Sequence, residues 1–410
     1  MLNDFGKREL VYIVRVDDVS PIEGKDRVVC ARVGGWTCMV PKGAFQIGDL
    51  GVYHEIDSKC PAKEPYLFLE KRKYHIKTQK FGTFYSQGLL MPAADFGWTY
   101  DKELDKIIVE DGEALGERTF LTERLGVTHY APDDAQKSIN KNNRYKKMAS
   151  RHPKLFKNPV IKWIYKTSLG KKFLFLFLGK KKDKIRTHFP NHFPYIHKTD
   201  QERCENMTWV LQDKSPFIVT QKCDGSSGTF ILEKERKLFK TVYEFYVCSR
   251  NVRQLDENQQ SYYEENHYWE VAKKYDIKNK LLDYLQKHPE LEYVCWQGEV
   301  CAPPIQKNPH KLKETHLFLF HMIDSEKGMY NILEAAKIWE EYDMEYVPIV
   351  DTNYILPDDF EEFKQTADGY YDSSCCEGQE GCPREGFVYY KASDPNFSFK
   401  NVSRSYLAKH

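Results

Sequence analysis

The sequence predicts an α+β protein built from a small N-terminal β-barrel and a larger mixed body. Three observations lead there. Residues 1–95 hold short β-prone runs punctuated by glycine turns, with little helical periodicity. From residue 188 to 410, strands and helices alternate. Between them lies a connector, 96–187, whose stretch 141–186 carries sixteen Lys and Arg residues against one acid, Asp183.

A chain of 410 residues has room for two or three domains. Hydrophobic content of 41% and aromatic content of 14% are those of a packed globular protein. The net charge of only +1 excludes a global field for polyanions, so any basic surface is local. Met1 to Leu10 has no apolar signal core, and the longest apolar run, Phe173 to Leu178, is too short for a bilayer. The expectation is a monomer of the cytoplasm or nucleus, without membrane association. Eleven cysteines do not suggest a disulfide framework; Cys30, Cys38, Cys248 and Cys295 sit inside β-like runs, as small core hydrophobes. Cys375, Cys376 and Cys382 cluster in a Gly-rich loop with no matching His or Cys group, so zinc is not expected.

In the first part, Glu9–Val16 reads as a strand and Asp26–Val40 as a hairpin turning at Gly34-Gly35. Strands follow at Gly51–Ile56 and Gln87–Met91, the latter ended by Pro92. This texture fits an OB-fold, a barrel that binds nucleic acid with an aromatic face and a basic rim. Trp36, Tyr12 and Tyr53 would form that face, with Arg15, Arg32 and Lys42 beside it; the same aromatics would also suit the barrel core. Glu70–Lys80 is a basic, aromatic loop, read either as a phosphate contact or as a solvated loop. Residues 141–186 interleave their cations with Tyr145, Phe156, Trp163, Tyr165, Phe173, Phe175 and Phe177. That pattern suits a helical connector with its basic side on phosphates, a solubilising linker, or a membrane-surface helix.

In the larger part, helices are expected near Ser261–Tyr275, Asn279–Lys287, Asn331–Tyr342 and Asp358–Thr366, the last capped by Asp358. Strands are expected at Phe217–Gln221, Ser227–Leu232, Val242–Ser249, Glu292–Val300, His316–Ile323, Tyr346–Val350 and Gly386–Lys391. There is no internal repeat.

The chemistry centres on Val219-Thr220-Gln221-Lys222-Cys223-Asp224-Gly225-Ser226-Ser227, a strand that closes on a lysine beside Asp-Gly. A lysine used as a nucleophile must be neutral, whereas its ordinary pKa near 10.4 keeps it protonated at pH 7. Desolvation and nearby positive charge, including a metal ion, lower that value. A lysine attacking a nucleotide therefore needs carboxylates to hold metal, a second cation on the α-phosphate and an aromatic under the base. Candidates follow in order downstream. They are Arg250 after Val247-Cys248-Ser249, Glu299 in Trp296-Gln297-Gly298-Glu299, Phe320 in the strand from Phe318 to Asp324, Glu385 before Gly386, and Lys400 after Ser398-Phe399.

This ordered set resembles the covalent nucleotidyltransferases, and among them the ATP-dependent RNA ligases of the Deinococcus and Naegleria type, which carry an N-terminal OB module. The runs Lys198-Thr199-Asp200-Gln201-Glu202-Arg203 and Ile305-Gln306-Lys307-Asn308 also look like that family. The resemblance implies a nucleotidyltransferase domain of ATP-grasp-like antiparallel sheets over 188–410, with ATP and Mg²⁺ or Mn²⁺ as cofactors. Its substrate would be RNA with 3′-hydroxyl and 5′-phosphate ends, as in a nicked duplex. By resemblance Lys222 is the nucleophile. Gln221, Asp224, Gly225 and Arg250 bind the nucleotide, Arg250 also the RNA end. Glu299 serves ribose or metal, Phe320 stacks on adenine, Glu385 organises metal and Lys400 contacts the α-phosphate. Trp36, Arg32 and Lys42 would add RNA contacts from the barrel.

Three positions depart from the family pattern. Gln221 stands where relatives often have Glu, although its carbonyl can accept from the adenine amino group. His321 stands where some have Asp, and Ser398 where a second lysine is common. Ser227, where DNA ligases usually have Arg, and the OB module placed first argue against DNA ligases and capping enzymes. A GTP-dependent guanylyltransferase and a non-catalytic RNA-binding protein are the alternatives.

Overall fold

β-Branched and aromatic runs bounded by glycine turns become strands in this chain. The computed structural model describes residues 1–3, 7–130, 200–237, 240–250, 253–254, 266–377 and 381–409, with scattered positions between 155 and 196. Met1–Thr128 and Arg186–His410 form one compact unit, and His129–Ile185 a second. In the second unit the described positions include helical ones at Ile161, Ile164, Tyr165, Gly170, Phe173 and Leu174. Most of the basic 141–186 run, and Phe189-Pro190, lie outside the described residues.

The barrel forms from two three-stranded antiparallel sheets. Val11–Arg15, Leu50–His54 and Leu89–Met91 make one, and Asp18–Pro21, Val28–Val33 and Trp36–Pro41 the other. The sheets are stitched by Asp17 N–H to the Arg32 carbonyl at 2.8 Å and Gln87 N–H to the Thr37 carbonyl at 2.7 Å. The hairpin turns at Gly34-Gly35 as its glycines require, with Gly34 at φ +57°. Asp18–Pro21 was not expected, since its mixed polar sequence carries no alternation. The core around Leu10, Val11 and Val52 continues through Trp98, Ile107, Leu115 and Leu121 to Val127, past the expected boundary at residue 95.

The larger part is two sheets. One runs Glu202–Arg203, Asp394–Val402, Gly386–Lys391, Phe217–Gln221, Ile349–Tyr354; the other runs Arg253–Gln254, Lys240–Ser249, Ser226–Lys237, Tyr293–Cys301, His316–Asp324, Gly328–Met329. Apart from the parallel pairing of Glu202–Arg203 with Asp394–Val402, all pairings are antiparallel. Helices His267–Lys274, Ile277–Lys287 and Ile332–Glu341 bury Val271, Leu281, Leu285, Ala335 and Trp339 in one core with Phe230, Trp296 and Leu319. Their starts are chemical: the Asn266 side chain accepts from Trp269 N–H and that of Asn331 from Leu333 N–H.

Several expectations shift. The cap of helix Phe360–Gln365 is Asp359, while Asp358 pairs with Lys214. The first long helix begins at His267, and 261–265 lie outside the described residues. The strand expected at Tyr346–Val350 is Ile349–Tyr354, because Tyr346 makes only an isolated bridge to Leu319. Asp394–Val402 is a full strand where only a lysine-bearing motif was read. Cys376 and Cys382 are joined in a disulfide, contrary to expectation, while the nine other cysteines are buried thiols outside any disulfide. Among the described residues no helix is long and apolar enough to cross a membrane.

The barrel and the larger part share a polar seam. Trp36 Nε1 and the Tyr12 hydroxyl both donate to Asn206 Oδ1, at 2.7 and 3.0 Å, and Asn206 Nδ2 donates to Glu55 Oε1 at 2.8 Å. Gly35 N–H donates to the Glu205 carbonyl at 2.8 Å, and a Cβ at Gly35 would stand 2.2 Å from the Phe360 ring. The hairpin tip needs its second glycine for this approach.

Candidate active site

Lys222 sits where the two sheets of the larger part meet. Strand Phe217–Gln221 belongs to one, Ser226–Lys237 to the other, and Lys222–Gly225 crosses between them. Gly225 is required by close approach: a Cβ there would lie 2.5 Å from the Val300 carbonyl and 2.8 Å from Cys301 Sγ. Its N–H donates to Glu299 Oε1 at 3.1 Å, which ties the turn to the neighbouring strand, where Ser227 faces Glu299. Gly386, at φ +147°, lets its carbonyl accept from Lys222 N–H at 3.0 Å. A Cβ at Gly386 would meet the Asn401 carbonyl at 2.1 Å. The two glycines place Glu299 and Glu385 on either side of one lysine.

Around it opens a cleft of about 330 Å³. Gln221, Lys222, Asp224, Gly225, Arg250, Glu299, Phe320 and Lys400, all singled out from the sequence, line it. The apolar residues Phe320, Val347, Val388 and Tyr390 also line it and offer surface suited to a flat base. Glu385 reaches the cleft through Lys222, its Oε2 lying 2.7 Å from Nζ. Trp36 is elsewhere: it is 2% exposed and turned into the seam with Asn206, so it offers no ring for RNA bases, and Tyr12 and Tyr53 are buried with it. Aromatic content signals a stacking face only where the ring stays outside, and here the second domain covers it. Arg32 and Lys42 stay exposed on the barrel.

The electrostatics run against the simplest picture of an activated lysine. Burial works to lower the pKa of Lys222, but Glu385, Glu299 and Asp224 outweigh it and hold the amine protonated, above its ordinary value. The carboxyls strain the other way. Burial pushes Glu299 up to about 8 despite the lysine, and burial raises Glu385 as well. Burial lowers Lys400 to about 8, with Asp200 opposing. Burial would raise Asp200 too, yet Lys400, Arg8 and Arg250 overcome it and keep it well below the carboxylate range.

Asp200 also lines the cleft, a position that its run in the sequence does not reveal. Its Oδ1 lies 3.2 Å from Lys400 Nζ and its Oδ2 2.8 Å from Arg250 Nη2. Arg8 of the barrel meets it through Nε at 3.2 Å and Nη2 at 3.3 Å, and also reaches Glu55 at 3.1 Å. No local pattern could show that residues 8, 200, 250 and 400 converge. Around Lys400, Arg8 and Arg203 add positive charge where Ser398 does not.

Two further residues brace the turn. His310 Nε2 accepts from Asp224 N–H at 3.0 Å and its Nδ1 donates to the Cys375 carbonyl at 2.8 Å. The Tyr406 hydroxyl donates to Asp224 Oδ2 at 2.6 Å. Gln221 Oε1 already accepts from Asp372 N–H at 2.8 Å and from the Cys375 thiol at 3.4 Å. Its amide oxygen thus holds the 372–375 loop and is not left for the adenine amino group. His321 is held neutral, with a pKa lowered by burial to about 4, and its Nδ1 lies 3.3 Å from Gln297 Oε1.

A divalent cation fits this donor set. Glu299 and Glu385 are half-buried oxygen donors whose pKa values are raised by burial, and a hard cation would favour their ionised form. Among the described residues no three His, Cys, Asp or Glu form a ready-made cage. The cation would take its other ligands from water and phosphate, as magnesium does.

With that geometry in view, the family comparisons are specific. An OB-fold domain model matches residues 10–93 and an RNA ligase model matches residues 215–404. Residues 215–404 thus match the RNA ligase family and residues 10–93 an OB-fold domain that precedes it. It is similar to RNA ligase structures from Naegleria gruberi. A variant with ATP and Mn has 26% identity, covering 98% of this chain and 99% of that one, at a TM-score of 0.68. A structure with pyrophosphate has 27% identity and a TM-score of 0.68, and a variant with AMP and Mn has 26% identity and 0.67; each covers 98% of this chain and 99% of that one. No curated protein matches the chain by sequence.

Proposed function

We propose that this RNA ligase consumes ATP and joins a 3′-hydroxyl to a 5′-phosphate, as in a nicked RNA duplex, through AMP carried on Lys222. The observation that carries the reading is Lys222 held 2.7 Å from Glu385 in a cleft that also presents Glu299, Phe320 and Lys400. ATP is the nucleotide and a divalent cation the cofactor, as the solved relatives with ATP, AMP and Mn suggest.

The apolar residues Phe320, Val347 and Val388 take the base, and Lys400 and Arg250 face the phosphates. Glu385 and Glu299 would hold a divalent cation, which would supply charge that neutralises these carboxylates and phosphate oxygens. Engaging these carboxylates would remove what keeps the Lys222 pKa high, and burial would then favour the neutral amine. Lys222 Nζ attacks the α-phosphorus, the N–P bond forms, and the bond to pyrophosphate breaks. The Lys222 proton leaves along the short contact to Glu385. Lys400 balances charge on the phosphorus oxygens through both transfers. AMP then passes from Lys222 to the RNA 5′-phosphate, and the 3′-hydroxyl displaces AMP to form the phosphodiester. Asp224, fixed by His310 and Tyr406, holds the turn that aims the lysine.

The test is α-labelled ATP with Mn²⁺ and the full chain. The expected outcome is an acid-labile protein label that Lys222→Ala abolishes without unfolding the chain. Label from GTP alone would indicate a guanylyltransferase, and label from neither nucleotide a non-catalytic protein.

A further inference from the structure

We propose that Cys223 and Cys375 form a redox-reactive thiol pair, which a hydroperoxide converts into a disulfide that displaces the turn carrying Lys222. The pair stands on its own chemistry, while its effect on AMP transfer rests on the ligase reading.

Sulfur gathers beneath this turn from distant parts of the chain. Cys223, Cys301, Cys375 and Cys382 share one buried cluster, with Cys376 packed against it. Cys376 and Cys382 are already joined, whereas the Cys223 thiol donates a hydrogen bond to Cys375. A metal does not account for the cluster. Both ring nitrogens of His310 are committed, to Asp224 N–H and to the Cys375 carbonyl. Among the described residues no three His, Cys, Asp or Glu form a metal cage.

Both sulfurs are tied to the nucleophile. Cys223 follows Lys222 directly and lines the same cleft. Cys375 Sγ lies 3.4 Å from Oε1 of Gln221, the residue before Lys222. Cys375 closes the short helical turn Ser373–Cys375, whose first two residues are exposed. The two cysteines are themselves only 3% and 0% exposed, which excludes bulky disulfides and selects a small oxidant.

The hydrogen bond from Cys223 lowers the pKa of Cys375 against burial, which makes Cys375 the nucleophilic sulfur. It attacks one peroxide oxygen: an S–O bond forms, the O–O bond breaks, and the departing hydroxide takes the thiol proton as water. The Cys223 sulfur then attacks the sulfenic sulfur. The S–S bond forms, the S–O bond breaks, and the Cys223 proton leaves with that hydroxide as a second water. Both thiols are oxidised, and one peroxide is reduced to water. A disulfide draws the sulfurs to about 2.0 Å, closer than unbonded thiols approach, so the Lys222–Gly225 turn must shift towards the 372–375 loop. The Cys375 proton that Gln221 Oε1 accepts is lost as well. A misplacement of about 1 Å at a reacting group costs about 100-fold in rate. Thiol reductants reverse the link.

The full chain is treated with hydrogen peroxide, assayed for AMP labelling from α-labelled ATP, and mapped by mass spectrometry of unreduced peptides. A Cys223–Cys375 cross-link should appear, labelling should fall at least about tenfold, and dithiothreitol should restore it. Oxidised glutathione should form the cross-link far more slowly. In Cys375→Ser, and independently in Cys223→Ser, labelling should be unaffected by peroxide, whereas Cys376→Ser with Cys382→Ser should keep the response. Absence of the cross-link, inhibition that persists in both single variants, or a response lost only in the double variant would overturn the pair. A cross-link with undiminished labelling would overturn its control of Lys222. A chain that forms the cross-link but takes no label before treatment would keep the pair and refute the ligase reading.

Discussion

Asp200→Asn tests how the two domains share control of the catalytic cations. The substitution removes one charge while keeping nearly the same volume. Lys400 Nζ is 3.2 Å from this carboxylate, a separation at which unit charges interact by about 5 kcal/mol at an effective dielectric of 20. Water at the cleft and the competing Arg8 and Arg250 reduce this to roughly 3 kcal/mol, or about two pKa units on Lys400. Lys400 already sits near 8 through burial, so in the variant it falls to about 6. A lysine that must be cationic works below its pKa and fails as pH rises through it. The unsubstituted enzyme should therefore keep kcat/KM for ATP up to about pH 8, and Asp200→Asn should begin to lose it near about pH 6. The assay is the rate of AMP labelling across that range, with Asp200→Glu as the restoring variant. Thermal stability should also fall, by less than the ~3–5 kcal/mol of a fully broken buried pair. Arg8 retains Glu55 at 3.1 Å, and Arg250 is 47% exposed. An unmoved pH profile, or one displaced to higher pH, would refute this account of Asp200.

Other perturbations probe the scaffold. Gly386→Ala forces a Cβ to 2.1 Å from the Asn401 carbonyl at φ +147°, and should cost about 3 kcal/mol or more in urea unfolding and abolish AMP labelling. Lys364 pairs with Glu205 at 2.7 Å with both side chains at most 1% exposed, so Lys364→Met should cost about 3–5 kcal/mol, and adding Glu205→Gln should recover much of it; a single-variant loss under about 1 kcal/mol would contradict the pair's burial. His54, bonded to the Tyr66 hydroxyl at 2.9 Å, is lowered by burial to about 4. Its lowered pKa contributes stability above the unfolded value near 6.5 that is lost as pH falls towards 4, about 3 kcal/mol in all, and melting curves of His54→Asn should lack that portion of the slope.

What the sequence determined by itself was local. Strands Phe217–Gln221 and Gly386–Lys391, the Gly34-Gly35 turn and the Ile332–Glu341 helix follow from alternation, glycine and helical spacing within a few residues. The order of Lys222, Glu299, Phe320, Glu385 and Lys400 was legible for the same reason: each closes or lines a strand whose own pattern announces it. The tertiary structure alone decided which side chains were used up before any ligand arrives. It turned Trp36 from a presumed RNA platform into a seam residue, spent the Gln221 oxygen on the 372–375 loop, and raised rather than lowered the pKa of Lys222. It also made Asp200 the joint between Arg8, Arg250 and Lys400. Backbone periodicity is encoded by neighbours along the chain, whereas burial and charge depend on neighbours in space. Those are brought together here from residues 8 to 400, and only folding places Arg8 and Lys400 within 4 Å of Asp200.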